Sequence, residues 1–572
     1  MKRKLTDKEI TYVLDFIKEN EYIPAKIAKQ TCENNKNKLA KQLSNIVIYP
    51  ELIDDLKEEI INVYKKSLIH AGESVGVLCA QSIGEKQTQG MLNSIDWSEE
   101  ILFTRNNNVC IEPIGKFIDN LIKLNIEKVQ YIEENRTEYL PLCEDYKIPA
   151  TDENGMVKWY KIEAVTKHLP IGKLVKVVTD SGRSVMATQA KSFLVWNGSK
   201  FIDTLGSDIK VGNILPTTHS LERPKVISVF DISTVLPKTE YLYTTEVNKA
   251  IKYHKTNGGL TSRTLDVFTA LNGKEFTVPY NTMLGKRKNY LENCPDGLVY
   301  IHTSNQLVSH FPDKITLDND FGFFVGIYLA EGLCTKTYIS ISNACPNIRK
   351  RITDYCDKFG FTYHLVVSSD KNVEGTSTDL KIHSTLLARL FKIVCETGSL
   401  NKFVPLFAYN APDSFIKGLI DGYFSGDGCV CKENGSIKAS SISQDLLWGI
   451  IKLLTYYGIF SKMSSSSPRK NSKFEKIHTL YTIRITNSNA QEFAKNFSLT
   501  EERKEWRLRN ITLQKKYKYQ LDHNQEEFPV RDVYFDRVKT VEYVDGTTEF
   551  VYDLTVEETR NFQIRNGLNL RD

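Results

Sequence analysis

Two stretches of the sequence join an apolar helix pattern to a terminal acid: "FGFFVGIYLAEG" (321–332) and "FIKGLIDGYFSGDG" (415–428). Small residues recur on each, Gly326 and Ala330 on the first and Gly418 and Gly422 on the second, a spacing that lets two helices pack backbone to backbone. Glu331 and Asp427 then lie side by side at the C-terminal ends. A carboxylate there faces the negative end of the helix dipole, a penalty of roughly 0.3–1 kcal/mol before the two acids repel each other. A Mg²⁺ ion held by Glu331 and Asp427 offsets both effects. Such an ion can activate water and stabilise the leaving oxygen in phosphodiester cleavage. One such stretch alone reads better as a core helix with a C-cap glycine. The recurrence favours a working pair.

The elements that must position these acids show in the texture of the chain. Its 572 residues, 41% hydrophobic and 25% charged, suffice for several domains, each with a core of its own. A net charge of +5 is only mildly basic and neither requires nor excludes a nucleic-acid partner. The N-terminus has no apolar run of a secretory signal, and no stretch approaches the ~20 residues needed to span a bilayer. The 11 cysteines are scattered without metal-knuckle spacing and read as free thiols, which points to an intracellular protein, cytoplasmic or nuclear, with no membrane partner.

Residues 1–70 read as helical, with Thr6 and Glu9 in a capping-box pattern and a second amphipathic run at 51–69. From Ser94 the texture turns to short apolar alternations broken by "DSG" and "NGS" turns, and this β texture returns at 538–570. Helices and strands alternate between them. The expected fold is multidomain α+β, a β domain interrupted by a mixed insert. The expected boundaries are 1–93, 94–225, 226–310 (linker or DNA-recognition region), 311–525 and 526–572.

"GESVGVLCAQSIGEKQTQGMLN" (72–93) resembles the segment of the largest subunit of multisubunit DNA-directed RNA polymerases that leads into the trigger loop. The match runs through Gly72 to Gly76, Ala80 to Glu85, Thr88-Gln89 and Leu92-Asn93. The resemblance implies that Gln89, Leu92 and Asn93 contact the incoming nucleoside triphosphate. It also implies that other polymerase subunits are partners. That family continues Thr-Phe-His. This chain continues Ser94-Ile95-Asp96, and without an Asp-rich metal motif residues 1–93 cannot polymerise alone.

From Ser94 onward the chain resembles an intein, with its β-rich Hint-type splicing domain. "SIDWSEEILF" is similar to the first block, with Ser94 as nucleophile; "GRSVMATQAKSF" to the second, with Thr188 but Lys191 where His is usual. "FVYDLTVEETRNF" is similar to the next block, with Asp553 and with Arg560 in place of His, and the terminal His-Asn stands as Arg571-Asp572. The resemblance implies that Ser94 attacks the carbonyl of Asn93, that Thr188 helps to stabilise the oxyanion, and that Lys191 protonates the leaving nitrogen if its pKa falls far enough. Arginine is a fixed donor and not a proton shuttle, and Asp572 would close to a cyclic anhydride. The expectation is a variant splice site; an intein that no longer splices is the alternative. Because the sequence ends at Asp572, ligation would need a downstream segment from outside it.

The two acid-ended helices resemble the dodecapeptide motifs of LAGLIDADG homing endonucleases, which implies a two-repeat α/β nuclease acting on double-stranded DNA. "LNKFVP" (400–405) is similar to the Lys-x-x-Pro block of that family and makes Lys402 a candidate for positioning water or stabilising charge. Arg469, Lys470 and Lys473 are candidate phosphate contacts, and equally well a solvated loop. The function expected is a polymerase-subunit segment carrying a self-splicing intein with a Mg²⁺-dependent endonuclease. An active endonuclease in a splicing-defective intein, or an inert remnant, are the alternatives.

Overall fold

The computed structural model describes residues 3–18, 25–44, 46–67, 93–152, 154–235, 241–243, 277–279, 300–302, 314–369, 376–432, 435–466, 478–511 and 532–572. It divides into two compact units, Met1–Thr88 and Gln89–Asp572. In the first, helices Asp7–Val13, Ala25–Leu43 and Ile53–Ser67 bury a small core that includes Ile10, Val13, Leu14, Ile17 and Ile53. The Glu9 carboxylate accepts the Thr6 N–H at 2.8 Å and so satisfies a donor at the helix start. Residues 72–92, with Gln89 and Leu92, lie outside the described residues.

The second unit opens with β structure. A twelve-stranded sheet is built from strands in 95–218 into which two late strands are inserted. Val533–Val544 lies between Ile214–Thr218 and Leu174–Thr179, and Val551–Val556 between Ile95–Asp96 and Val157–His168. A smaller sheet joins Asn569–Arg571 to Ser192–Trp196, with Leu570 opposite Phe193. Residues near Ser94 and residues near Asp572 therefore share one core, with Ile95, Phe193, Tyr552, Phe562 and Leu570 all buried in it.

Between these β segments, two helices cross at their glycines. Helix Asn319–Glu331 is apolar on all sides, as a helix enclosed by protein must be. A Cβ on Gly326 would overlap the carbonyl of Leu419, and one on Gly418 the carbonyl of Asn319, so helix Asp413–Gly426 seats directly on the first backbone. Each helix is followed by a four-stranded antiparallel sheet of like order. The first comprises Gly332–Cys334, Tyr338–Ser342, Thr376–His383 and Thr362–Ser369; the second comprises Gly428–Val430, Ile437–Ser441, Leu480–Ile485 and Lys462–Ser466. Of 226–310, three short strands at 241–243, 277–279 and 300–302 form a sheet.

The β part and the helical part share packing. Leu102 and Val109 of the β part belong to the same core as the crossed helices. Asn410 donates to the carbonyls of Asn107 and Lys225 and accepts from the N–H of Val109. Arg565 bridges Glu100 and Asp445, while Arg183 donates to the carbonyls of Asn566 and Ser461. Lys452 reaches across to Gln563 Oε1 at 3.3 Å.

Lys452 is fully enclosed at this seam. Burial pushes its ammonium down to about 7, and Arg183 and Arg565 push the same way. An unfolded lysine holds its proton to about 10.4. Between these values the unfolded chain binds more protons, so the contribution of this site to stability rises with pH, and below pH 7 the cost of the buried charge is fully present. Lys452→Met should therefore raise the melting temperature at pH 6 and raise it less, or not at all, at pH 10. A melting difference unchanged between the two would contradict this.

Candidate functional site

The Ser94 site is assembled by strand register. Ile95 pairs with Ala187 on one side and Tyr552 on the other, which brings Thr188 beside Ser94. The Ser94 N–H donates to Thr188 Oγ1 at 3.1 Å, and the Thr188 N–H returns a bond to the Ser94 carbonyl at 2.8 Å. Ser94 is wholly buried, with Oγ 2.6 Å from the carbonyl oxygen of Asn93 and 2.7 Å from Nε2 of His168. The other ring nitrogen of His168, Nδ1, lies 2.8 Å from the carbonyl oxygen of Leu169. A carbonyl only accepts, so Nδ1 carries the proton. Burial holds the imidazole pKa below its usual value, and Lys191 adds to that effect against the Leu169 bond.

Lys191 turns inward at the end of a tight turn in which its N–H donates to the Thr188 carbonyl at 3.0 Å. Its Nζ meets Asp553 Oδ1 at 2.6 Å, with both side chains almost fully buried, and lies 4.9 Å from the centre of the Phe562 ring. Burial drives the Asp553 carboxyl up, and Lys191 opposes it. Asp572 completes the cluster. Its Oδ2 accepts the Val556 N–H at 2.9 Å, and its own N–H donates to the Arg560 carbonyl at 2.9 Å. Burial raises its carboxyl as well, while the Val556 bond and the charges of Lys191, Arg560 and Arg571 oppose the rise. The two arginines lie at the rim: Arg560 Nη1 is 4.0 Å from Asp572 and 3.4 Å from Glu163, and Arg571 donates to the Thr559 carbonyl. A cavity of about 850 Å³ lined by Arg571, Thr559, Asp203 and Lys200 opens beside them.

The second cluster forms where the crossed helices end. A methyl on Gly426 would stand 2.5 Å from Ala330 Cβ and 3.1 Å from Glu331 Cγ, so the close approach of the backbones is what sets Asp427 beside Glu331. Lys402 Nζ donates to the carbonyls of Tyr328 and Leu329, and Lys504 Nζ to those of Phe424, Ser425 and Gly426. Each lysine thus satisfies the last carbonyls of one helix and places a cation at the negative end of its dipole. Asp427 is open to solvent, yet the protein packed around its carboxyl raises it to about 7, with Glu331 adding and the two lysines opposing. Glu331 is raised too, again chiefly by burial. Burial lowers Lys402 to about 8. A cleft of about 600 Å³ lined by Asn343, Gly426 and Lys504 adjoins the pair.

Among the described residues no group of three His, Cys, Asp or Glu side chains is placed to hold a metal ion. Glu331 and Asp427 are a two-carboxylate set whose ionised forms repel each other. That suits a hard cation such as Mg²⁺, which keeps most of its water and takes one or two carboxylates.

The family described as the intein splicing domain matches residues 101–569. The chain belongs to that family. The RNA polymerase subunit Rpo1C of Methanocaldococcus jannaschii is 30% identical over 402 residues, covering 70% of this chain and 39% of that protein. A DNA polymerase of Thermococcus sp. (strain GE8) is 23% identical, covering 91% of this chain and 34% of that protein. The intein-bearing chain thus spans roughly a third to two fifths of the length of these relatives. Among solved structures, the transcription factor IIB Mvu mini-intein is 22% identical with a TM-score of 0.21, covering 22% of this chain and 70% of that one. I-DmoI in complex with DNA and Ca is 12% identical with a TM-score of 0.24, covering 32% of this chain and 90% of that one.

Of the residues expected from sequence, the intein brings Ser94 and Thr188 into contact and Lys191, Asp553 and Asp572 into one cluster, with Arg560 and Arg571 at its edge. Glu331, Asp427 and Lys402 share the other. Asn93 is described; Arg469, Lys470 and Lys473 lie outside the described residues. Sequence reasoning missed His168 and Lys504. The signal for His168 was a histidine closing a strand before Leu169-Pro170; for Lys504, its place in the Lys- and Arg-rich stretch that opens at 501.

No helix of the described residues is long and apolar enough to cross a membrane. Removing one partner of the Lys191–Asp553 pair leaves a buried charge, which costs about 3–5 kcal/mol in such pairs. Lys191→Met should lose about that much in urea unfolding at pH 8, less at pH 5 where Asp553 takes a proton, and Lys191→Met with Asp553→Leu should recover most of it. Equal losses in the single and double variants would contradict this.

Proposed function

We propose that the chain is a segment of the largest subunit of a DNA-directed RNA polymerase, interrupted after Asn93 by a self-splicing intein that carries a LAGLIDADG-type endonuclease. The observation that carries this reading is the meeting of Ser94 with Thr188, and of Lys191 and Asp553 with Asp572, in one buried polar site. The similarity to an RNA polymerase subunit supports the host assignment, as does the sequence of residues 72–93, with Gln89, Leu92 and Asn93 as nucleotide contacts and other polymerase subunits as partners after splicing.

In this reading Ser94 Oγ attacks the Asn93 carbonyl carbon, and the amide becomes an ester. Thr188 Oγ1 holds the Ser94 N–H, which fixes the plane of the scissile bond. The first residue of a downstream segment then takes the acyl group. Asp572 then releases the intein. Its carboxyl oxygen bonds to its own backbone carbonyl carbon to give a cyclic anhydride, and the peptide bond to the downstream segment breaks. The carboxyl proton, which burial helps to retain, leaves on that segment's amine. Lys191 and Arg560 set the local positive charge.

The insert acts on double-stranded DNA. Glu331 and Asp427 would hold Mg²⁺, which supplies activation of water and stabilisation of the leaving oxygen. Lys402 and Lys504 favour the ionised form of both acids. On the second sheet, Lys438 stands opposite Arg484 and Arg484 opposite Lys462. Like charges directly opposite are destabilising, and a row of three cations suits a phosphate backbone. Arg469, Lys470 and Lys473 extend this proposal.

The test is incubation with Mg²⁺ and a plasmid that carries the uninterrupted polymerase coding sequence across the codon of Asn93. Cleavage confined to that junction, abolished by Asp427→Asn, is expected. An intact plasmid under conditions where the protein is folded would overturn the endonuclease.

A further inference from the structure

The splice site holds a histidine that the blocks of the sequence did not supply. His168 ends the strand Val157–His168 in register with Val551, so its ring projects into the space where Ile95 and Tyr552 also pair. It is buried, with 1% of its surface exposed. Its two ring nitrogens have different partners. Nδ1 faces the carbonyl of Leu169, whose own N–H is bound to the Asn135 carbonyl at 2.9 Å. Pro170 comes next, and a residue before proline is confined to extended backbone, so that carbonyl cannot swing away. Nε2 is left as an acceptor, 2.7 Å from the hydroxyl oxygen of Ser94, and shares that hydroxyl's one proton with the Asn93 carbonyl oxygen, 2.6 Å from Oγ. This is the arrangement of an activated nucleophile: hydroxyl, base, and a third group that orients the base.

Lys191, where the family usually has histidine, does not touch that hydroxyl. Its Nζ is committed to Asp553 at 2.6 Å. Lys191 is the charged group whose field acts on His168.

We propose that His168 is the general base of the first splicing step. Nε2 takes the proton from Ser94 Oγ as Oγ bonds to the Asn93 carbonyl carbon. As the bond from that carbon to the Ser94 nitrogen breaks, the same proton passes to the departing nitrogen. An amide becomes an ester plus an amine, with no proton lost or gained. Thr188 Oγ1, 3.1 Å from that nitrogen, holds it within reach. This role rests on the proposal that the chain splices.

The test uses the full chain and hydroxylamine, which cleaves the ester and releases residues 1–93, followed by intact mass. General base catalysis contributes typically 10²–10⁴-fold, so His168→Gln should slow release at least about 100-fold. Ser94→Cys supplies a nucleophile with a pKa near 8.5 that needs far less help. In that background His168→Gln should cost less than about tenfold. Release unchanged by His168→Gln in the Ser94 protein overturns the proposal and leaves splicing intact. So does an equal loss in both backgrounds in protein that melts natively, which marks a structural role. His168→Asn repeats the comparison if the Gln variant does not fold. A parent protein that releases nothing overturns both the splicing reading and this role.

Discussion

Strand Val551–Val556 hydrogen-bonds to Ile95–Asp96 on one side and to Val157–His168 on the other, and the rest of the Ser94 site depends on that placement. Tyr552 opposite Ile95 sets Ser94 at the end of a short strand; Asp553 opposite Thr166 faces Lys191; His168 opposite Val551 reaches the serine. A slip of this strand by one residue would turn Asp553 to the opposite face of the sheet, away from Lys191. The pairing is held by burial of Tyr552, Leu554 and Val556 in the core shared with Ile95 and Val175. The residues at the two ends of the intein are thus held together by apolar contacts between segments several hundred residues apart in sequence.

Each cluster sets lysine against its carboxylates: the Lys191–Asp553 pair is buried, whereas Asp427 is exposed beside a partly buried Glu331. At the splice site Lys191 answers Asp553, and its charge extends to Asp572 and His168. At the crossed helices Lys402 and Lys504 answer the helix carbonyls and the two acids at once. A lysine is a compact point charge with three donors, which suits a carbonyl terminus better than the planar fork of arginine. At the seam Arg565 and Arg183 join the β part to the helical part through several acceptors each. That seam, with Leu102 and Val109 in the core of the helical part, makes the insert part of the fold of the intein.

Much of this was legible in the sequence, for physical reasons that also mark its limit. Apolar patterns ending in Glu331 and Asp427 announce two helices and their contact, because glycine spacing is local. The hairpin texture after Ser94 and again near the end announces an interrupted β domain. What a local pattern does not carry is which residue meets which across hundreds of positions. Lys191 stood out as a departure from a family, yet its partner Asp553 and its distance from the serine hydroxyl are set by sheet register. His168 and Lys504 lie in stretches whose composition suggests only a strand end and a basic helix. No local pattern marks the seam cations Arg183, Lys452 and Arg565, which the fold buries.

The central claim is that this site, with Lys191, Arg571 and Asp572 as working parts, excises the intein from its host. The most direct measurement adds a short segment beginning Thr-Phe-His after Asp572 and takes intact masses of the purified protein and its Ser94→Ala variant. The expected result is a ligated product that joins Asn93 to the added segment, together with free intein, and neither from the variant. Folded, full-length precursor as the sole species in both would contradict it.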